Sequence, residues 1–454
     1  MARMKQARSR ELSLWQSAAD EVVAKGSAGS QALDANSRAT IRRPDQSDNL
    51  VAAANDIAES LDQGESLPDT PQAVAAATLG VGDTVKFCSV TALKLARARV
   101  KAILTGDDSE VRKFEAELGT QFGQCDPRWA QVIAVYVAAH STQGPIPYRR
   151  HTQLSDFVID GQLPDNAKIA LLADWGTGQD PARFLLKQIA SKKPDVVIHL
   201  GDVYYSGAEH EFQNYFYKIW QQTLKLPKVK WGAKLAAPAQ PATFTLAGNH
   251  DMYAGGGPYY TTIDMLGQPA SYFCLRNSQW QFIALDTGLH DADPVGGSTT
   301  FLEDSEVEWL KDKINNAGGR KTVLLSHHQL FSAYENLGPN KTNQKLLNQL
   351  KDVLPQVTAW FWGHEHNLVI FQKFQNVLAR CIGHGAFPVG VDEVGQPDPA
   401  VPTQAVTLAP DRNGGLLQHG YVLIDLNGGA AKASYFQYDA VSQQERELPI
   451  HDAL

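Results

Sequence analysis

The chain has 454 residues, too many for one ordinary domain and enough for roughly two to four. Hydrophobic residues make up 43% and nine Trp are present, which supplies a large core and excludes a wholly disordered or fibrous chain. The formal charge of −8 argues against a general binder of nucleic-acid polymers, with a local basic patch left open.

The opening segment, MARMKQARSRELSLWQSAADEVVAKG, is basic but has no apolar run of seven or more. A secretory signal is not expected, and no stretch approaches the ~20 apolar residues of a membrane span. The expected location is cytoplasmic; an organelle-targeting start is disfavoured by Glu11, Asp20 and Glu21. Residues 1–70 read as a polar tail or a set of marginal helices. Residues 71–150 read as a helical module, because TALKLARARVKAIL, SEVRKFEAEL and PRWAQVIAVYVAAH carry apolar residues at i, i+3, i+4 spacing. The sequence assigns this module no role; self-association or binding of a protein partner is one open to its helices. The four cysteines (Cys88, Cys125, Cys274, Cys381) show no CxxC spacing and read as isolated buried thiols.

The pattern changes after about residue 151, and residues 165–454 read as one catalytic domain. Short apolar runs end in small or polar residues: IALLADWG, VVIHLGD, FTLAGNHD, FIALDTG, VLLSHH, AWFWGHEH, VLARCIGHG and YVLIDLNG. Alternating with helical stretches such as PARFLLKQIA and EVEWLKDKI, they predict buried strands of an α/β domain. Functional side chains of such sheets gather beyond the carboxyl ends of strands, and five clusters lie there. They are Asp174-Trp175-Gly176, Gly201-Asp202-Val203-Tyr204-Tyr205, Gly248-Asn249-His250-Asp251, Ser326-His327-His328 and Gly363-His364-Glu365-His366. A given four-letter word is expected only about 0.003 times in such a chain, so GNHD and GHEH together are a strong signal.

Carboxylate, phenolate, amide oxygen and imidazole are ligands for iron, manganese or zinc, and the scattered cysteines exclude a thiolate site. One four-coordinate ion would leave several of these groups unused. Two ions sharing a carboxylate would employ all of them, activate a bridging hydroxide and clamp an in-line displacement. A nearby His would then protonate the leaving group.

The order DxG, GDxxY, GNHD, His and GHxH resembles the calcineurin-like metallophosphoesterases, and the Tyr makes it most similar to the purple acid phosphatase branch. The resemblance covers about Lys168 to Pro388. It implies a four-layer α/β/β/α sandwich preceded here by the helical module, and hydrolysis of a phosphoester. It also implies that Asp174, Tyr205 and His366 hold the first ion, that Asn249, His327 and His364 hold the second, and that Asp202 bridges. His250 would orient the phosphate or protonate the leaving group, with Asp251 fixing the His250 tautomer.

Two departures stand out. Gly176 replaces the His of the commoner DxH, so a Tyr205 phenolate supplies the lost donor and favours Fe³⁺ there, with divalent Zn, Mn or Fe at the second site. GNHD also stands where the purple branch commonly has GNHE.

Each assignment has a plainer counterpart. Tyr204 and Tyr205 could both be aromatic packing. His328 is divided between a substrate contact and a structural hydrogen bond, and His384 between a phosphate contact and a tight loop. Asp286 either orients ligands or caps the next segment, and His199 reads as a core histidine. The expected substrate is a small phosphate mono- or diester, nucleotides included, selected by the loops Met252–Gln268, Gln329–Asn343 and Phe387–Asp411. The alternative is a regulatory scaffold on the same fold that binds partners through its N-terminal helices.

Overall fold

A computed structural model describes residues 146–454 apart from 205–206, 236–238, 292–299, 392–394, 402 and 407. The expected polar tail and residues 71–145 of the helical module, with Cys88 and Cys125, therefore lie outside the described residues, and residues 146–150 are not helical. Almost all described residues fall in one compact unit, Ile146–Met252, Gly256–Ala292 and Ser298–Leu454.

Two sheets form the centre. The first has eight strands in the order β1 (Val158–Asp160), β5 (Phe273–Arg276), β6 (Trp280–Ala284), β7 (Lys321–Ser326), β8 (Val357–Trp362), β10 (Leu378–Ile382), β9 (Leu368–Phe371) and β11 (Thr403–Val406). The second has six, β14 (Gln444–Ala453), β13 (Ala430–Asp439), β12 (His419–Asn427), β2 (Lys168–Leu172), β3 (Val196–His199) and β4 (Ala242–Thr245). Strands β2, β3 and β4 run parallel, as do β6, β7 and β8, while β12 joins β2 antiparallel and carries the C-terminal hairpins. The short β1 pairs with β5 ahead of residue 165, so the sheet begins before the boundary read from the sequence.

The period of two along each strand sorts its side chains into layers. Ile169 and Leu171 of β2, Ile198 of β3 and Phe244 of β4 pack with Phe282 of β6, Leu325 of β7 and Phe361 of β8, which fills the space between the sheets. The alternate residues face outward. Ala170 and Leu172 meet Leu185, Leu186 and Ile189 of helix α1 (Asp180–Ser191). On the far side, Leu324, Trp360 and Trp362 meet Trp309, Leu310 and Ile314 of α6 (Asp304–Asn315) and Leu346 and Leu350 of α7 (Gln344–Leu350). Between α1 and α6 in sequence come α2 (Glu209–Glu211), α3 (Lys218–Thr223), α4 (Asn249–Tyr253) and α5 (Gly257–Leu266), with a π-helical turn at Phe212–Tyr217. The layering is α/β/β/α.

Helix α1 shows the local logic. Pro181 occupies its first turn, where no N–H is needed, and Ala182, Leu185, Leu186 and Ile189 make one buried stripe. Each fully buried Leu of this kind contributes roughly 1.5–3 kcal/mol. A polar clamp also joins the sheets: Arg380 of β10 makes two bonds, 2.7 and 2.6 Å, to the carboxylate of Asp452 on β14, which Tyr435 of β13 also engages. Cys274 and Cys381 are buried, and the Cys381 thiol lies 3.3 Å from the Glu365 carbonyl oxygen. Among the described residues no helix is long and apolar enough to cross a membrane.

Candidate metal centre

The five motifs all begin at the carboxyl ends of parallel strands: β2, β3 and β4 of one sheet, β7 and β8 of the other. The chain turns sharply there. Asp174, Asp202 and His364 adopt left-handed backbone conformations, with φ of 53°, 76° and 66°. The flanking glycines leave room for carboxylates. A Cβ at Gly248 would lie 2.1 Å from Asp202 Oδ1, and one at Gly363 would lie 2.6 Å from Asp174 Oδ2.

The side chains converge. Atoms of Asp174, Asp202 and His327 lie within 4.8 Å of one another, and all three residues are buried. His327 donates from Nδ1 to the Leu200 carbonyl at 2.9 Å, which fixes its tautomer and turns Nε2 inward, 3.3 Å from Asp202 Oδ2. His364 Nδ1 stands 3.2 Å from Asn249 Oδ1 and 3.3 Å from His327 Nε2, and its backbone N–H donates to Asp174 Oδ2. His366 Nε2 is 3.4 Å from Asp174 Oδ1, with its ring stacked on Phe387 at 4.1 Å. His250 donates its backbone N–H to Asp202 Oδ1, and its Nε2 is 3.9 Å from Oδ2. Burial disfavours charge throughout, yet the Asp202 carboxyl sits well below its usual range because His327 and His250 face it. Burial likewise lowers His327, but Asp202 outweighs this and raises its pKa to about 9.

Tyr205 lies outside the described residues. Among the described residues the tyrosine in the cluster is Tyr204, which is fully buried. Its hydroxyl donates to Asp174 Oδ1 at 2.9 Å and lies 2.9 Å from His366 Nε2. Gly176 explains why no imidazole stands in the first motif: it bridges to Val203, and a Cβ there would lie 2.7 Å from the Asp202 carbonyl oxygen and from Val203 Cα. There is no space for a side chain.

The Asp251 carboxylate accepts the backbone N–H groups of Asp202 (2.9 Å), Val203 (2.9 Å) and Gly248 (2.7 Å), and so ties the second motif to the third. His384 lies against Gly420, where a Cβ would lie 2.3 Å from its Nε2; burial lowers its pKa to about 4 and keeps it neutral. Asp286 caps a turn through Gly288 N–H (3.1 Å) and Leu289 N–H (3.0 Å). His328 is engaged at both ring nitrogens, by Thr287 and Asp291, and a ring nitrogen also lies within 4.8 Å of ligand atoms of His327 and His364. His199 is a core residue bonded to Thr245 at 3.0 Å and ringed by Trp175, Phe216 and Trp220.

The donor set fits metal ions. Two buried carboxylates, an amide oxygen, a phenol and inward-turned imidazoles share one small volume, and hard oxygen with imidazole is the donor chemistry of Fe, Mn and Zn. An α/β/β/α sandwich with such a cluster where strands of both sheets end defines a metallophosphoesterase. Residues 167–368 match the model of the calcineurin-like phosphoesterase family. These residues form a calcineurin-like phosphoesterase domain, the domain of a metal-dependent phosphoesterase.

Among curated proteins it is similar to mouse (Mus musculus) tartrate-resistant acid phosphatase type 5, 24% identical over 57% of this chain and 78% of that protein. It is also similar to the glycerophosphodiester phosphodiesterase GpdQ of Enterobacter lignolyticus, 26% identical over 41% of this chain and 62% of the relative. A third relative is the 3',5'-cyclic adenosine monophosphate phosphodiesterase CpdA of Pseudomonas aeruginosa, 25% identical over 42% and 62%.

Proposed function

We propose that the protein hydrolyses small phosphate mono- or diesters, nucleotides included, at a two-ion centre. The convergence of Asp174, Asp202 and His327 at the ends of β2, β3 and β7 carries this reading. In it Asp174, Tyr204 and His366 hold the first ion, Asn249, His327 and His364 the second, and Asp202 lies between them. When bound, the ions supply Lewis acidity toward phosphate oxygens and an activated water. The protein residues do the rest. Leu200 and Asp251 hold His327 and the motif loops in place before substrate arrives. His250, against the Tyr204 ring at 4.8 Å, is placed to bond the phosphate or pass a proton to the departing oxygen.

A tyrosine among the ligands favours Fe³⁺ in the first position, with divalent Zn, Mn or Fe in the second. The relatives include a phosphatase and two phosphodiesterases, which supports a centre able to take either ester. Size selection falls to the loops. Of the three expected to line the mouth, only Gln329–Asn343 contains a Lys or Arg, Lys341, and it pairs with Asp398 at 3.6 Å. The Asp398 N–H also bonds the Ala333 carbonyl, which ties two of these loops together. None of the three loops carries a dense Lys/Arg cluster to grip a second phosphate, which supports small esters over polymers.

A panel of p-nitrophenyl phosphate, bis-p-nitrophenyl phosphate, a nucleoside monophosphate, a cyclic nucleotide and a single-stranded oligonucleotide tests this with metal-loaded protein. Turnover of the small esters with none of the oligonucleotide is expected. Preference for the oligonucleotide would overturn the size assignment.

A further inference from the structure

His328 has no part in the scheme above, although its ring lies among the proposed ligands of the second ion. It stands edge-on to His327 with centroids 4.8 Å apart, and against His364 at 4.4 Å. Its Nδ1 is 3.0 Å from Thr287 Oγ1, its Nε2 is 2.9 Å from Asp291 Oδ2, and its backbone N–H donates to the same Thr287 hydroxyl. Two bonds at the ring and one at the backbone therefore hold His328, whose ring packs on two proposed ligands.

The turn supplying Thr287 and Asp291 is itself braced. Asp286 caps it, and the Asp286 N–H donates to Glu306 Oε1 of α6 at 2.9 Å. Glu306 in turn accepts the Tyr148 hydroxyl at 3.0 Å. At Gly288 the turn presses on the loop that carries Asn249, since a Cβ there would lie 2.6 Å from the Gly248 carbonyl oxygen. Asn249, His327 and His364 thus all rest on, or beside, residues 286–291 and His328. The first-ion group is supported elsewhere: His366 stacks on Phe387, and the Asp174 carbonyl accepts the N–H groups of Ala386 and Phe387.

We propose that His328, pinned by Asp291 and Thr287, is the strut that sets the two imidazole ligands of the second ion, and that Asp291 is a positioning residue for that ion alone. The physical basis is the soft terminal torsion of histidine, which is broad unless packing restrains it. An imidazole free to swing loses the preorganisation that makes it a good ligand. Loss of such an outer partner weakens metal affinity about 10–100-fold. The proposal rests on the two-ion reading, and its test separates the two.

Full-length wild type, Asp291→Ala and Asp291→Asn are loaded with metal and dialysed against graded chelator, and metal per chain is measured by mass spectrometry. Wild type is expected to hold two ions. Asp291→Ala should keep the first and release the second at about 10–100-fold lower chelator strength. Asp291→Asn, whose amide oxygen can still accept from Nε2, should restore much of the difference. Thr287→Val, which removes only the hydroxyl, should shift the second ion in the same direction and serves if the alanine variant does not fold. Equal weakening of both ions, or wild-type retention of both in Asp291→Ala, would overturn the strut. A wild type holding fewer than two ions would overturn the two-ion reading instead.

Discussion

The Tyr204 hydroxyl meets the Asp174 carboxylate at 2.9 Å inside the cluster, two residues after Asp202 rather than the three of the GDxxY spacing. A phenol enclosed this way gains from a highly charged ion at its oxygen, because burial together with Asp174 and Asp202 otherwise drives its pKa well above the usual value. If the first ion is ferric, the Tyr204→Phe variant should lose the visible tyrosinate charge-transfer absorption and most first-site metal, while Tyr205→Phe retains both. Visible spectra with iron analysis check this. The reverse pattern would return the role to Tyr205.

Asp251 holds three backbone N–H groups of two metal-binding loops. Each buried donor left without a partner costs about 1–3 kcal/mol. Asp251→Ala should therefore destabilise the protein by roughly 3 kcal/mol or more, read from chemical denaturation, alongside loss of metal. If the residue only set the His250 tautomer, kcat would fall with stability and metal content unchanged.

Gly363 is spatially forced. Its Cβ would contact Asp174 Oδ2 and the Ala173 side chain, each at 2.6 Å. Gly363→Ala is expected to displace the Asp174 carboxylate and lower metal occupancy while circular dichroism remains native. Full occupancy in the alanine variant would show that the carboxylate has room to move.

Asp286, in the turn beside the proposed ligands of the second ion, gives a pH signature of its own. Burial, more than any other cause, raises its pKa from 3.8 to about 6, despite bonds from Ser271, Leu289 and Gly288. A raised carboxyl pKa means the folded state binds the proton more tightly, so this residue's relative stabilisation is full at low pH. It is lost as pH rises from the unfolded value through about 6. The advantage of Asp286→Asn over wild type should thus grow across that window by an amount on the order of 3 kcal/mol and then level off. A pH-independent difference in urea unfolding would contradict the assignment.

What could be read from the sequence was contiguous. Asp174, Asp202, Asn249, His327 and His364 announce themselves because each ends an apolar run that becomes a buried strand. The place of Tyr204 in the cluster could not be read that way. It depends on a left-handed Asp202 and on the bridge between Gly176 and Val203. The role of Asp251 was also hidden, since its partners are backbone N–H groups with no sequence signature. Thr287 and Asp291 lie about forty positions before His328 in a segment that reads as an ordinary turn. Strand β1 has only three residues and borrows its pairing from β5, so no periodicity marks it. Gly176 was the one legible hint of the rearranged first motif, because a glycine where a ligand is common implies that another chain occupies the space.

Asp202 is the residue on which the account turns, being within reach of His327 and His250 at the meeting point of both proposed ligand groups. The most direct measurement is metal content and phosphoester turnover of Asp202→Ala beside wild type, both purified under identical metal supply. The account predicts two ions per chain in the wild type, and in the variant loss of both ions with nearly all turnover. A variant that keeps two ions, or turns over substrate at the wild-type rate after complete metal depletion, would contradict it.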